Sequence, residues 1–236
     1  MPTLEVCFSP SLLHLFDCNN KIVVVIDVLR ATSSICTAFA HGVNTIIPVA
    51  TIEESLSYRE KGYLVAGERN GEIVEGFDMG NSPFSFMGEG VKGRNIAITT
   101  TNGTQAIHAA NDASKIVIGS FLNLDVLSEW LMVQDADILC LCSGWKNKFN
   151  LEDTLLAGAI VNKLRGDSGF DIDCDSAIAS EHLYLKAKDD LFGFLENSSH
   201  RKRLKRLNIE KDIYYCLTPN TCPVIPVLRD GALVKL

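Results

Sequence analysis

No apolar run in the 236 residues reaches the ~18–20 positions that a helical membrane crossing needs, so no transmembrane helix is expected. The opening residues, MPTLEVCFSP, lack a basic segment leading into an apolar one, and no export signal is expected either. Positive charge is scarce. Lys and Arg number 22 against 29 Asp and Glu, a formal net charge of −7. Such a balance makes a poor general ligand for nucleic acid or an anionic membrane, so neither is expected as a partner. The chain has no Gly-Lys-Ser/Thr triplet, which excludes the phosphate loop of the common NTPases. It has no Cys-x-x-Cys pair, which argues against a structural zinc site, and no His-Glu-x-x-His. Two phosphate chemistries lose their usual signatures as well. Asp27 is followed two places on by Leu29 instead of a second Asp, and no cysteine has an Arg six places later. GEGVKG at Gly88–Gly93 spells the dinucleotide fingerprint, but it precedes a predicted strand instead of following one.

What remains is an ordinary globular composition, 47% hydrophobic and 22% charged, with enough apolar surface to offset chain entropy. Eight cysteines without an export signal read as reduced, mostly buried thiols, and point to a cytoplasmic protein. The pattern alternates strand and helix. Ile22–Ile26, IVVVI, is a continuous β-branched run, as expected of a strand buried on both faces. Further strands are expected at Thr45–Val49, Tyr63–Ala66, Asn95–Thr99, Lys115–Ile118 and Asp137–Leu141. Helices are expected at Ala31–His41 with Thr32 or Ser33 near its N-cap, at Ile52–Lys61 capped by Thr51, near Gly103–Ala110 and Asp125–Val133, and at Asn150–Leu164. Glu68–Arg94 reads as a long Gly-rich loop. Residues from about Asp175 to Asn208 read as helical. Ile213–Leu217, Val224–Leu228 and Ala232–Val234 read as short antiparallel strands. The fold class is therefore α/β: a largely parallel or mixed sheet with helices on both faces and a small C-terminal β addition. With no linker or repeat, residues 1–236 read as one domain, with a subdivision near 145–150 left open.

Ligands of open parallel sheets bind outside the carboxyl ends of the strands. Asp27 falls there, followed by VLRATSS. Its carboxylate is suited to a hard cation and Arg30 to a phosphate or sulfonate. Thr32, Ser33 and Ser34 would offer hydroxyls and N–H groups at a helix start. An acidic turn with an ordinary cap explains the same residues. ITTTNGTQAI repeats the logic: Thr100, Asn102, Gly103 and Thr104 sit where backbone can approach an oxyanion closely, or simply cap a helix. Glu68 and Arg69 follow a third strand, and the acids clustered there suit magnesium, which takes a few carboxylates plus water and substrate oxygens. Glu152 and Asp153 open a helix, where complementing the helix dipole and capping are the plainer explanation. The histidines, His14, His41, His108, His182 and His200, are scattered, and the basic run His200–Arg206 reads as a solvated helix face.

Taken in order, DVLRATSS, GER…EGFDMGNSP, TTTNGT and LEDTLLAG resemble the 2-phosphosulfolactate phosphatase (ComB) family, from Val23 to the VIPVL segment at Val224–Leu228. The resemblance implies a ComB-like α/β fold and a Mg²⁺-dependent hydrolase of the phosphate ester of sulfolactate, a step in coenzyme M biosynthesis. It implies Asp27, Arg30, Glu68 and Asp153 as catalytic residues, with Asp27, Glu68 and Asp153 holding the metal. It implies Arg30, Thr32, Ser33, Arg69, Thr100, Asn102, Gly103 and Thr104 as substrate-binding residues. In CSGWKNKFNLED, Trp145 and Lys146 stand where smaller or polar residues are common in the family. The expected partner is a small anionic phosphoester, and self-association into a homo-oligomer is left open. Attack by water and attack by a carboxylate both stay open. The rival reading is a non-catalytic binding protein for a small organic anion, built on the same turns.

Overall fold

The IVVVI run forms a strand whose five residues are all buried, and it is the centre from which the fold grows. In the computed structural model, which describes residues 1–166, 169–204, 207 and 209–236, it is one of ten strands in a single mixed sheet. The strands are β1 (Leu4–Cys7), β2 (Ile22–Ile26), β3 (Thr45–Pro48), β4 (Leu64–Arg69), β5 (Glu72–Ile73), β6 (Asn95–Thr99), β7 (Lys115–Gly119), β8 (Ile138–Cys142), β9 (Pro226–Arg229) and β10 (Ala232–Lys235). Their order is β1-β8-β2-β7-β9-β10-β3-β6-β4-β5. Two parallel blocks result, β1-β8-β2-β7 and β3-β6-β4, and the antiparallel hairpin β9–β10 lies between them. The bridge is thin: Val117 pairs with Val227 on one side and Leu233 with Ile46 on the other.

Successive strand residues face opposite sides of the sheet. In β2, Val23 and Val25 pack on one face with Ile35, Phe39, Ile98 and Ile118. Ile22, Val24 and Ile26 pack on the other with Leu127, Leu155 and Ile160. The helices supplying these layers are α1 (Ala31–Ala40), α2 (Ile52–Arg59), α3 (Gly103–Ala109), α4 (Leu124–Met132), α5 (Leu151–Leu164) and α6 (Asp175–Ala187). Short helices α7 (Leu191–Phe194), α8 (Ser199–Leu204) and α9 (Glu210–Cys216) follow. Thr51 caps α2 as expected, its hydroxyl accepting the Glu54 N–H at 3.1 Å. Among the described residues, no helix is long and apolar enough to cross a membrane.

Three expectations need correction. Residues 213–217 belong to helix α9 and the turn after it, not to a strand: Ile213, Cys216 and Leu217 are buried together at helical spacing. The stretch after Glu68 is not all loop. Asn70 and Gly71 both have positive φ, 57° and 91°, and turn β4 directly back into β5, the Asn-Gly hairpin geometry. The helical stretch expected from about Asp175 to Asn208 is instead divided into α6 and the short helices α7 and α8, and Asn208 itself lies outside the described residues, as do Lys205 and Arg206 of the basic run. α1 begins at Ala31 as expected, with Arg30 at its N-cap and Thr32 and Ser33 close by in the first turn.

Candidate active site

The carboxyl ends of β2, β4 and β6 meet at a cavity of about 410 Å³. Asp27, Arg30, Glu68, Asn81, Asn102, Trp145, His200 and Arg203 are among the residues that line it. Each carboxylate expected there is buried, but the three do different work.

Glu68 ties loops together. Its Oε1 accepts the Thr101 N–H at 2.7 Å and its Oε2 the Gly71 N–H at 2.6 Å, which joins the end of β6 to the β4–β5 turn. Asp153 is likewise a clamp. Oδ1 accepts the Val28 N–H at 2.8 Å, and Oδ2 accepts from the Gly144 N–H at 3.1 Å and from Asn150 Nδ2 at 3.0 Å. It thereby fixes the chain leaving β2 to the chain leaving β8. Asn150 is the N-cap residue of α5, but its side chain makes no cap hydrogen bond and joins this clamp instead. Asp27 is the carboxylate left to act. Only Oδ1 is engaged, by a long 3.4 Å contact from the Ala31 N–H, and no described residue hydrogen-bonds Oδ2. Oδ2 lies against Gly103: a Cβ there would stand 2.8 Å from Oδ2 and 2.5 Å from Ala31 Cβ, so a glycine is required at the start of α3.

Electrostatics mark the same group. Burial raises the Asp27 carboxyl from its ordinary 3.8 to about 6; His200 acts against the rise, and Glu68 and Glu152 add to it. Asp153 is also raised well above the usual carboxylate range, first by burial and then by the charges of Asp27 and Glu152. A carboxylate that is buried, raised and lining a cavity, as Asp27 is, makes a candidate for a functional site.

The remaining expected residues divide. Arg30 lines the cavity, ion-paired with buried Asp212 through Nη1, while Nη2 donates to the Gly71 carbonyl at 3.1 Å. Asn102 lines it too, its Oδ1 accepting the Lys146 N–H. Thr32 and Ser33 do not reach it. The Thr32 hydroxyl folds back on Asp27 backbone and the Ser33 hydroxyl on the Val28 carbonyl, so they build the turn that aims Asp27. Thr100 and Thr104 exchange hydrogen bonds with each other at the head of α3. Arg69 turns to Thr99 Oγ1 and the Glu68 carbonyl.

Reading the sequence missed a second set. His200, on α8, is buried and pairs through Nδ1 with Glu152, which is fully buried on α5. The ring rests near Trp145, centroids 5.4 Å apart. Arg203, one turn further along α8, lies over the Trp145 ring at 4.4 Å from its centroid. Arg201 packs on Phe192 at 3.5 Å. The expected solvated face is thus largely an inward one.

Magnesium binds to one or two carboxylates with water and substrate oxygens completing its shell. Among the described residues, no group of three or more His, Cys, Asp and Glu side chains is arranged to hold a metal. Glu68 and Asp153 spend both oxygens on N–H groups, whereas Asp27 Oδ2 is free of them. The donor set fits an ion held by Asp27 together with substrate oxygens, not a three-carboxylate cage.

A perturbed carboxylate, a carboxylate-held imidazole and arginines gather around one cavity at the carboxyl edge of an α/β sheet, a lining suited to a small anion. Comparison with known proteins agrees. The 2-phosphosulpholactate phosphatase family matches residues 7–231, and the chain belongs to that family. A protein of Thermotoga petrophila named probable 2-phosphosulfolactate phosphatase is 43% identical over 215 residues, covering 91% of this chain and 92% of its own. Proteins of the same name from Caldanaerobacter subterraneus, 38% identical over 91% of this chain and 90% of theirs, and Picosynechococcus, 36% identical over 90% of each, are also similar. The chain is accordingly a phosphoric monoester hydrolase, and its substrate is a small phosphoester.

Proposed function

We propose that the chain hydrolyses 2-phosphosulfolactate, or a closely related phosphorylated hydroxy acid, to the hydroxy acid and phosphate, with Mg²⁺ as cofactor and as a step toward coenzyme M. The observation that carries this reading is Asp27: a buried carboxylate with one unengaged oxygen, raised to about 6, facing basic groups across the cavity. A phosphomonoester carrying further acids is strongly anionic, and a net acidic chain must gather positive charge locally to hold it. Mg²⁺ bound beside Asp27 would neutralise charge on the phosphoryl oxygens.

The chain's own groups divide the work. Arg30 is fixed by Asp212 and gives the cavity a planar donor that needs no further ordering. Glu152 holds His200 at Nδ1, which leaves Nε2 to give a proton to the ester oxygen as the P–O bond breaks. If water attacks, Asp27 takes its proton; if Asp27 attacks phosphorus itself, an acyl phosphate forms and water then cleaves it. Phosphate release from 2-phosphosulfolactate should require Mg²⁺ and stop with EDTA. A panel of phosphorylated hydroxy acids ranks the alternatives. Equal turnover in EDTA would refute the metal, and no turnover across the panel would refute the substrate class. A trapped phosphoenzyme on Asp27 separates the two routes of attack.

A further inference from the structure

Among the cavity groups, Arg203 has no part in the chemistry described so far. Arg203 lines the cavity from α8, and its Nη1 donates to Ser199 Oγ at 3.3 Å. Its Nε and Nη2 are out of contact with solvent and have no hydrogen-bond partner among the described residues. These two nitrogens form the side-on edge of a guanidinium, the edge that grips a planar acid with two parallel hydrogen bonds. Leaving buried donors unpaired is costly, and burial lowers the Arg203 pKa accordingly, with only Glu152 acting against it. The Trp145 ring holds the guanidinium plane at 4.4 Å, so the group is oriented but unsatisfied.

The other cavity arginine is partly committed: Arg30 spends one N–H of each terminal nitrogen on Asp212 and the Gly71 carbonyl. Arg203 and His200 lie on one face of α8, three residues apart, and both line the cavity together with Asp27. A substrate whose phosphoryl group lies at Asp27 would extend its remaining acid toward Arg203.

We propose that Arg203 is a specificity-determining residue: its Nε/Nη2 edge, steadied by Trp145, receives the acidic group of the substrate that is not transferred, a sulfonate or carboxylate. The proposal rests on the phosphatase reading above. It makes α8 the carrier of two functions, His200 for the leaving oxygen and Arg203 for the second acid.

The test compares wild type, Arg203→Ala, Arg203→Lys and Lys202→Ala on 2-phosphosulfolactate and on isopropyl phosphate, which has no second acid. The expected result is a rise in KM for 2-phosphosulfolactate of at least about tenfold in both Arg203 variants, with kcat changed much less, since a charge-assisted bidentate contact is worth roughly that much. Preference for the diacid over isopropyl phosphate should fall by the same factor. Lys should not rescue, because it keeps the charge and loses the fork. Lys202→Ala, an exposed neighbour, should keep the preference. An unchanged KM, or equal losses on both esters, overturns the proposal. If wild type turns over neither ester, the phosphatase reading has failed, and calorimetry with sulfolactate decides this one. Binding weakened about tenfold in Arg203→Ala and Arg203→Lys supports it, whereas equal affinity, or no binding to wild type, overturns it. Superimposable circular dichroism of Arg203→Lys and wild type excludes misfolding as the cause.

Discussion

Replacing Asp27 by Asn should make the metal-free protein more stable and much less active. In the unfolded chain the Asp27 carboxyl titrates near 3.8; in the folded protein it is held near 6. The folded state thus binds the proton more tightly, so stability falls as pH rises from just below 4 to above 6. At ~1.4 kcal/mol per pH unit, the charged carboxylate costs about 3 kcal/mol at pH 7 and only about 1 at pH ~4.5. The amide of Asp27→Asn would have nearly the same shape and could still accept the Ala31 N–H, but it carries no charge to bury. Urea unfolding in EDTA should therefore show Asp27→Asn stabilised by up to about 3 kcal/mol near pH 7, with most of the gain gone near pH ~4.5. Phosphate release at neutral pH should fall by orders of magnitude, because the base or nucleophile has been removed. Equal stability of the two proteins at pH 7, or a gain independent of pH, would refute the electrostatic argument. Near wild-type kcat/KM would refute the assignment of Asp27 to the chemistry.

Other perturbations separate the working groups from the supports. Asp153→Ala strands the buried Val28 and Gly144 N–H groups and should cost about 2–5 kcal/mol in urea unfolding; a loss under ~1 kcal/mol would mean that the clamp is dispensable. His200→Ala and Glu152→Gln should each lower kcat about 10²–10⁴-fold, and the double variant should lose little more, since the pair acts as one unit; additive losses would separate their roles. Arg30→Lys keeps the charge but loses the fork that joins Asp212 to the Gly71 carbonyl, so kcat/KM should drop well beyond tenfold, and unchanged kinetics would remove Arg30 from the site. Gly158→Ala places a Cβ 2.0 Å from the Ser180 carbonyl oxygen where α5 meets α6, and should destabilise by about 3 kcal/mol in thermal unfolding without a specific effect on KM.

Much of this was legible in the residues, for local reasons. The β-branched run of β2, the Thr51 cap and the Thr-rich, Asn-Gly head of α3 each announce themselves within a few positions. Asp27 was found because a strand end is visible in sequence. The missed parts depend on distant pairings. His200 gains meaning only from Glu152, 48 positions away, and Arg30 is fixed by Asp212, 182 away. No periodicity carries such information. Residues 213–217 misled because Ile-Tyr-Tyr-Cys-Leu favours strands by composition, while the burial of Ile213, Cys216 and Leu217 follows the helix. The β4–β5 hairpin was recoverable, because Asn70-Gly71 is a strong turn signal that lay inside a stretch read as loop. β1, four residues long, offered too little pattern to see.

The hairpin β9–β10 has a bearing on how the chain is made. Asp27 comes from one parallel block and Glu68 from the other, and the strands that lock the blocks into register are residues 226–235. A ribosome that has produced roughly the first 200 residues has released every strand of both blocks but not the piece that spaces them. Until it follows, each block can collapse on its own helices, and the unpaired edges of β7 and β3 stand open to pair with each other or with a neighbouring chain. A nascent chain of this protein is thus exposed to mispairing until late in its synthesis, and a lesion in the hairpin would surface as aggregation before it surfaced as lost turnover.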